Sequence, residues 1–116
     1  MIKNILLVED EAIIALDISL ELESNGYKVS SADNGIKAIE IAEKEDIDLA
    51  VLDIKGEMNG VDVFLKLKEM GIPAVFSTAN IDILNKSEEE HNFNAKYIKK
   101  PFNAKELGEL IEKLDL

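Results

Sequence analysis

Four short apolar runs in the 116-residue chain lead into residues able to do chemistry. Glu9-Asp10 follows Ile5-Leu6-Leu7-Val8, and Asp53 follows Leu49-Ala50-Val51-Leu52. Ser77-Thr78 follows Ala74-Val75-Phe76, and Lys99-Lys100-Pro101 follows Tyr97-Ile98. If these ends meet, three carboxylates face one another, and like charges at close range cannot all stay ionised unless a cation intervenes. A hard divalent ion with oxygen ligands answers that need. A lysine and a hydroxyl aimed at the same spot add one positive charge and one donor. That set suits a group bearing several anionic oxygens, and phosphoryl is the natural one.

The elements around these residues decide whether they meet. Ile5 to Val8 reads as a strand and Glu11 to Ser24 as a helix, closed by Asn25-Gly26. Tyr27 to Ser31 alternates as a strand does, and Ile36, Ala38, Ile39 and Ala42 are read as one face of a helix over Asn34 to Lys44. Leu49 to Leu52 is a continuous apolar run, followed by a helix traced by Val61, Phe64, Leu65 and Lys68 to Met70 and ended by Gly71. Pro73 to Ser77 makes a fourth strand, and Asn80 to His91 a polar helix anchored by Ile81, Ile83 and Leu84. Tyr97 to Lys99 makes a fifth strand, and Leu107, Leu110, Ile111 and Leu114 fall at i, i+3, i+4, i+7 on a last helix. Strict alternation of strands and helices predicts an α/β fold: a doubly wound, flavodoxin-like (βα)5 unit with a five-stranded parallel sheet, strand order 2-1-3-4-5 and right-handed crossovers. In such a sheet the strand C-termini share one edge, so Glu9, Asp10, Asp53, Thr78 and Lys100 are expected to converge.

Composition narrows the function classes. With 24 acidic and 13 basic residues the formal net charge is −11. Every basic residue is a lysine scattered among carboxylates, which argues against a nucleic-acid partner. An apolar fraction of 47% supports a core, and the lack of a Ser/Gly-rich tract predicts one domain over residues 1–116 with no output domain attached. Zero cysteines exclude disulfides, thiolate metal sites and cysteine nucleophiles, and one histidine excludes multi-His zinc sites. The longest apolar run, Ala12 to Leu16, is far short of the roughly 20 residues that span a bilayer, and the acidic Glu9-Asp10-Glu11 comes too early for a secretory signal. A cytoplasmic location is expected.

Taken in order, these motifs resemble the receiver domain of two-component response regulators, in particular its free-standing chemotaxis-type members, across essentially the whole chain. The resemblance implies that Glu9-Asp10 in Leu7-Val8-Glu9-Asp10-Glu11 holds Mg²⁺, with Mn²⁺ as a substitute, together with Asp53 and the Lys55 backbone carbonyl. It implies Asp53 as the phosphoacceptor, Thr78 in Ser77-Thr78-Ala79 as the hydroxyl, Lys100 before Pro101 as the lysine, and Tyr97 as the switch aromatic. It further implies a phosphodonor histidine on a partner histidine kinase or phosphotransfer protein, and a downstream protein target. The molecule would then be a phosphoacceptor signalling protein rather than an enzyme. It would be a monomer or a weak dimer through the face of the Asn80–His91 helix, the fifth strand and the last helix. His91 lies beside Glu88-Glu89-Glu90 and is assigned no role.

Singly, each residue also has an ordinary use. Asp10 can cap the first helix, Asp53 can form a turn, Thr78 can end a strand, Lys100 can be a solvated loop lysine, and Tyr97 can be a half-buried strand aromatic. A flavodoxin-type electron carrier shares the sheet but needs a Ser/Thr/Gly-rich phosphate loop where this chain has Glu9-Asp10-Glu11. A phosphatase of the haloacid dehalogenase type needs a second Asp two residues after the first, where Lys55 stands. The remaining alternative is an unphosphorylated receiver-like scaffold, because residues 54–59 form a shorter loop than the family's usual one and lack its proline. Asn94 stands where the family commonly has a glycine.

Overall fold

The computed structural model describes residues 3–53, 60–78, 96–99 and 104–114. Among the described residues nine elements follow in chain order: β1 (Asn4–Val8), α1 (Ala12–Ser24), β2 (Lys28–Ala32), α2 (Gly35–Lys44), β3 (Leu49–Asp53), α3 (Gly60–Glu69), β4 (Ala74–Thr78), β5 (Lys96–Lys99) and α4 (Ala104–Leu114). The strands form one sheet in the order β2-β1-β3-β4-β5, every pair parallel. The expected topology is the observed one.

Alternation along each strand sorts the core into two layers. Leu6, Val8, Ala50, Leu52 and Phe76 pack with Ala38 and Ala42 of α2 and with Val63, Phe64 and Leu67 of α3. Ile5, Leu7, Leu49, Val51 and Val75 pack with Ala15, Ile18 and Leu22 of α1 and with Leu107 of α4. Phe64 and Phe76 stack across the first layer at 5.1 Å between ring centroids. All five residues of β3 are buried, as expected of a central strand covered on both faces.

Local chemistry fixes where elements stop. At the end of α1, Gly26 has φ +93, its N–H donates to Glu23 O, and the Tyr27 N–H donates to Leu22 O at 3.1 Å. At the end of α3, Gly71 has φ +80 and the Ile72 N–H donates to Leu67 O at 2.9 Å. Both are Schellman closures, in which a left-handed glycine lets its own N–H and that of the next residue satisfy the last helical carbonyls. α2 starts on Asn34, whose side chain accepts the Lys37 N–H at 2.9 Å.

The sequence expectations need small corrections. The second strand runs Lys28–Ala32 rather than from Tyr27, because the Tyr27 N–H closes α1. Ile36 is 76% exposed and stands off the buried stripe of α2 that Ala38 and Ala42 define, two positions along and so nearly half a turn round the helix. Leu67, which is not among the residues expected to trace the third helix, is fully buried in α3. The expected helix over Asn80 to His91 lies outside the described residues, as do Lys55 and Lys100.

Candidate functional site

The chain runs from β1 to β2 on one side and reaches β3 on the other, so the order reverses between β1 and β3. In open α/β sheets the crevice outside the strand C-termini at such a reversal is the usual ligand site. Val8 and Leu52 are register partners, and Glu9 and Asp53 stand one position beyond them along the chain, Glu9 just past the end of β1 and Asp53 as the last residue of β3. Both carboxylates therefore rise at the same level and on the α1 side of the sheet.

Glu9, Asp10 and Asp53 converge. One carboxylate oxygen from each lies within 4.8 Å of the other two. Glu9 is 3% and Asp53 2% exposed, while Asp10 faces solvent. The Glu9 backbone is pinned by its N–H donating to Ala32 O at 3.0 Å, and Glu9 Oε1 accepts the Glu11 N–H at 3.2 Å. The N-cap of α1 is Glu11, with no side-chain capping bond, so the Asp10 carboxylate is not used up as the helix cap.

This donor set fits a hard divalent cation. Mg²⁺ takes oxygens at about 2.0–2.1 Å, so opposed ligands of an octahedron stand roughly 4.2 Å apart, close to the spread of these three oxygens. Two buried carboxylates and one at the surface leave an open side toward solvent, where an ion can keep waters or take a phosphoryl oxygen. The three negative charges supply the field that would hold it.

Of the remaining sequence-predicted residues, Thr78 and Tyr97 are placed by backbone alone, and Lys55 and Lys100 lie outside the described residues. Thr78 ends β4 and is the register partner of Lys99 at the end of β5, and Tyr97 pairs with Phe76. These positions put the ends of β3, β4 and β5 on one edge, beside the carboxylates. Ser77 is the register partner of Asp53, buried at 3% exposure, and its Oγ has no hydrogen-bond partner among the described residues.

One surface feature escapes the sequence reading. Ile13, Leu16 and Leu20 are exposed by 85%, 61% and 58%, although Ala15, Ile18 and Leu22 of the same helix are buried. Their i, i+3, i+7 spacing makes an apolar stripe that begins three residues from Asp10. The only sequence signal was that α1 is apolar on both sides. Among the described residues no helix is long and apolar enough to cross a membrane.

Comparison with known proteins agrees with the fold. Residues 5–112 match the response regulator receiver domain family. A CheY-like response regulator receiver domain protein from Methanospirillum hungatei superposes with a TM-score of 0.84 at 29% identity, covering 98% of this chain and 94% of that one. The receiver domain of the TMAO respiratory system response regulator TorR superposes with a TM-score of 0.83 at 25% identity, covering 97% of this chain and 95% of that one. Among curated sequences, response regulator SaeR of Staphylococcus aureus is 34% identical over 90% of this chain and 46% of its own length. The probable transcriptional regulatory protein TcrX of Mycobacterium tuberculosis is 30% identical, likewise over 90% of this chain and 46% of its own. The sheet and these matches define a receiver module. The chain belongs to the response regulator receiver domain family, and it spans about half the length of the curated relatives it matches.

Proposed function

We propose that residues 1–116 act as one receiver unit in which Asp53 accepts a phosphoryl group from a phosphohistidine on a partner histidine kinase or phosphotransfer protein. The observation that carries this reading is the convergence of Glu9, Asp10 and Asp53 at the switch point of the sheet. An Asp53 oxygen attacks phosphorus in line, an O–P bond forms as the donor's P–N bond breaks, and the histidine nitrogen takes up a proton as it leaves. Burial of Asp53 on a rigid central strand fixes the attacking oxygen. A bound Mg²⁺ or Mn²⁺, held by Glu9, Asp10, Asp53 and the Lys55 carbonyl, would neutralise the carboxylates and the phosphoryl oxygens. Lys100 and the Thr78 hydroxyl are assigned to the phosphoryl oxygens, and Tyr97 to the switch that follows.

Partner binding draws on the α1 stripe. Its exposed Ile13, Leu16 and Leu20, next to the acidic mouth, offer the phosphodonor protein an apolar surface within reach of Asp53. We assign the molecule to the cytoplasm, as a signalling protein rather than an enzyme, with a downstream protein target read through the Thr78–Tyr97 face and with association no stronger than a weak dimer.

The test is incubation with Mg²⁺ and acetyl phosphate or phosphoramidate, followed by intact mass spectrometry and peptide mapping. A phosphoryl mass increase confined to Asp53 is expected. No increase at saturating donor and metal would overturn the reading in favour of an unphosphorylated scaffold.

A further inference from the structure

Ser77 is a hydroxyl placed where packing alone asks for none. Along β4, Val75 is buried against Ile5, Leu7, Val51 and Leu107, and Ser77, two residues on, shares its face. Asp53 stands two residues beyond Val51 on β3, hence on that same face, and is the register partner of Ser77. Neighbouring strands lie about 4.8 Å apart, so the two side chains stand side by side. Ser77 is 3% exposed and its Oγ has no hydrogen-bond partner among the described residues. A buried hydroxyl left without an acceptor costs desolvation free energy that an alanine there would not incur. Rotation about χ1 between staggered wells sweeps Ser77 Oγ toward the Asp53 carboxyl, within hydrogen-bond reach at that strand separation.

We propose that Ser77 is a hydrogen-bond donor to the Asp53 carboxyl that stabilises the carboxylate as the phosphoryl group departs, and so shortens the life of the phosphorylated state. The inference rests on Asp53 as the phosphoacceptor. In the acyl phosphate, one Asp53 oxygen carries phosphorus and the other is a neutral carbonyl. As water attacks, a new O–P bond forms, the Asp53 O–P bond breaks, inorganic phosphate leaves, and negative charge returns to both Asp53 oxygens. A donor on the spare oxygen is then worth more in the transition state than before it, because hydrogen bonds to charged acceptors are the stronger ones. Thr78 is placed at the phosphoryl oxygens; Ser77 acts at the other end of the breaking bond.

The experiment compares the parent with Ser77→Ala, Ser77→Val and Ser77→Thr. Each protein is phosphorylated with phosphoramidate and Mg²⁺, the donor is removed, and the phosphorylated fraction is followed by intact mass spectrometry. Ser77→Ala should lengthen the half-life by about three- to tenfold, with thermal stability equal to or above the parent's. Threonine and valine share a shape and differ in the hydroxyl, so Ser77→Thr should decay close to the parent and Ser77→Val close to Ser77→Ala. Equal half-lives in the parent and Ser77→Ala, or equal slowing in the Thr and Val variants, would overturn the proposal while leaving Asp53 as acceptor. Failure of the parent itself to label would overturn the Asp53 reading and this inference with it.

Discussion

Asp48 and Asp53 flank the same five-residue strand and are put to opposite uses. At the N-terminal edge of the sheet, Asp48 Oδ2 accepts the backbone N–H of Asn4 at 2.9 Å and of Lys3 at 3.0 Å, tying the start of β1 to the entrance of β3. The Asn4 and then the Lys3 amide hold its carboxyl below the ordinary aspartate value of 3.8. At the C-terminal edge, Asp53 is buried beside Glu9 and Asp10, so that three carboxylates gather at one place. One end of β3 uses a carboxylate to join the chain, and the other gathers carboxylates. Like charges brought together suit a site that receives a cation and, on the function proposed above, a phosphoryl group.

The largest expected effect lies at Asp53. Asp53→Asn should abolish labelling by phosphoramidate, and because it relieves two neighbouring carboxylates of a like charge it should lower the melting temperature of the metal-free protein less than Asp48→Ala does. Persistent labelling would move the acceptor elsewhere. A melting temperature several degrees lower would show that Asp53 braces the fold as Asp48 does, and the contrast between the two ends would fail.

Next in size is the metal. Asp10→Asn removes a ligand charge at the exposed side of the cluster and should weaken Mg²⁺ or Mn²⁺ binding by about tenfold or more, roughly 1.4 kcal/mol, in calorimetric or NMR titration. The metal should raise the parent's melting temperature and raise that of Asp10→Asn less at equal concentration. Equal affinity in both proteins would remove Asp10 from the ligand set.

Much of this was legible in the chain, for reasons that differ by residue. Leu49 to Leu52 is apolar on both faces, which only a central covered strand requires, and from it the parallel sheet and the placing of Asp53 beside Glu9-Asp10 follow. Tyr27 was misplaced by one residue because strand alternation says nothing of a Schellman bond from its own N–H. Ile36 was put on the wrong face because it is apolar, although its spacing from Ala38 and Ala42 opposes it. The work of Asp48 was illegible, since its partners lie 44 and 45 residues away and are backbone amides, which carry no side-chain signature. Ser77 looked like half of a hydroxyl pair, and only the register with Asp53 separates it from Thr78.

At the bracing end, Asp48→Ala removes both acceptors at once. Two charge-assisted bonds at a partly exposed site, discounted for solvent screening, are worth about 1–2 kcal/mol together, so the melting temperature should fall by several degrees. Phosphoryl labelling and its decay should match the parent's. An effect on labelling larger than the effect on stability would mean that the two edges of the sheet are coupled.

The smallest effect separates charge from shape. Asp48→Asn keeps an oxygen for the Lys3 and Asn4 amides but loses the negative charge, so at pH 7 it should be less stable than the parent by about 1 kcal/mol or less. Because the folded protein holds the Asp48 carboxyl below 3.8, the unfolded chain binds its proton first as the pH falls. The stabilisation from Asp48 is therefore fully present above that unfolded value and is lost as the pH falls through the lower folded one. Urea unfolding of parent and variant should show a constant gap from neutral pH down to about pH 5 and converging curves below about pH 4. A gap that persists at the lowest pH would assign the difference to the altered geometry of the amide. A gap absent at pH 7 would mean that the two backbone donors are indifferent to charge, and that Asp48 braces β1 by position alone.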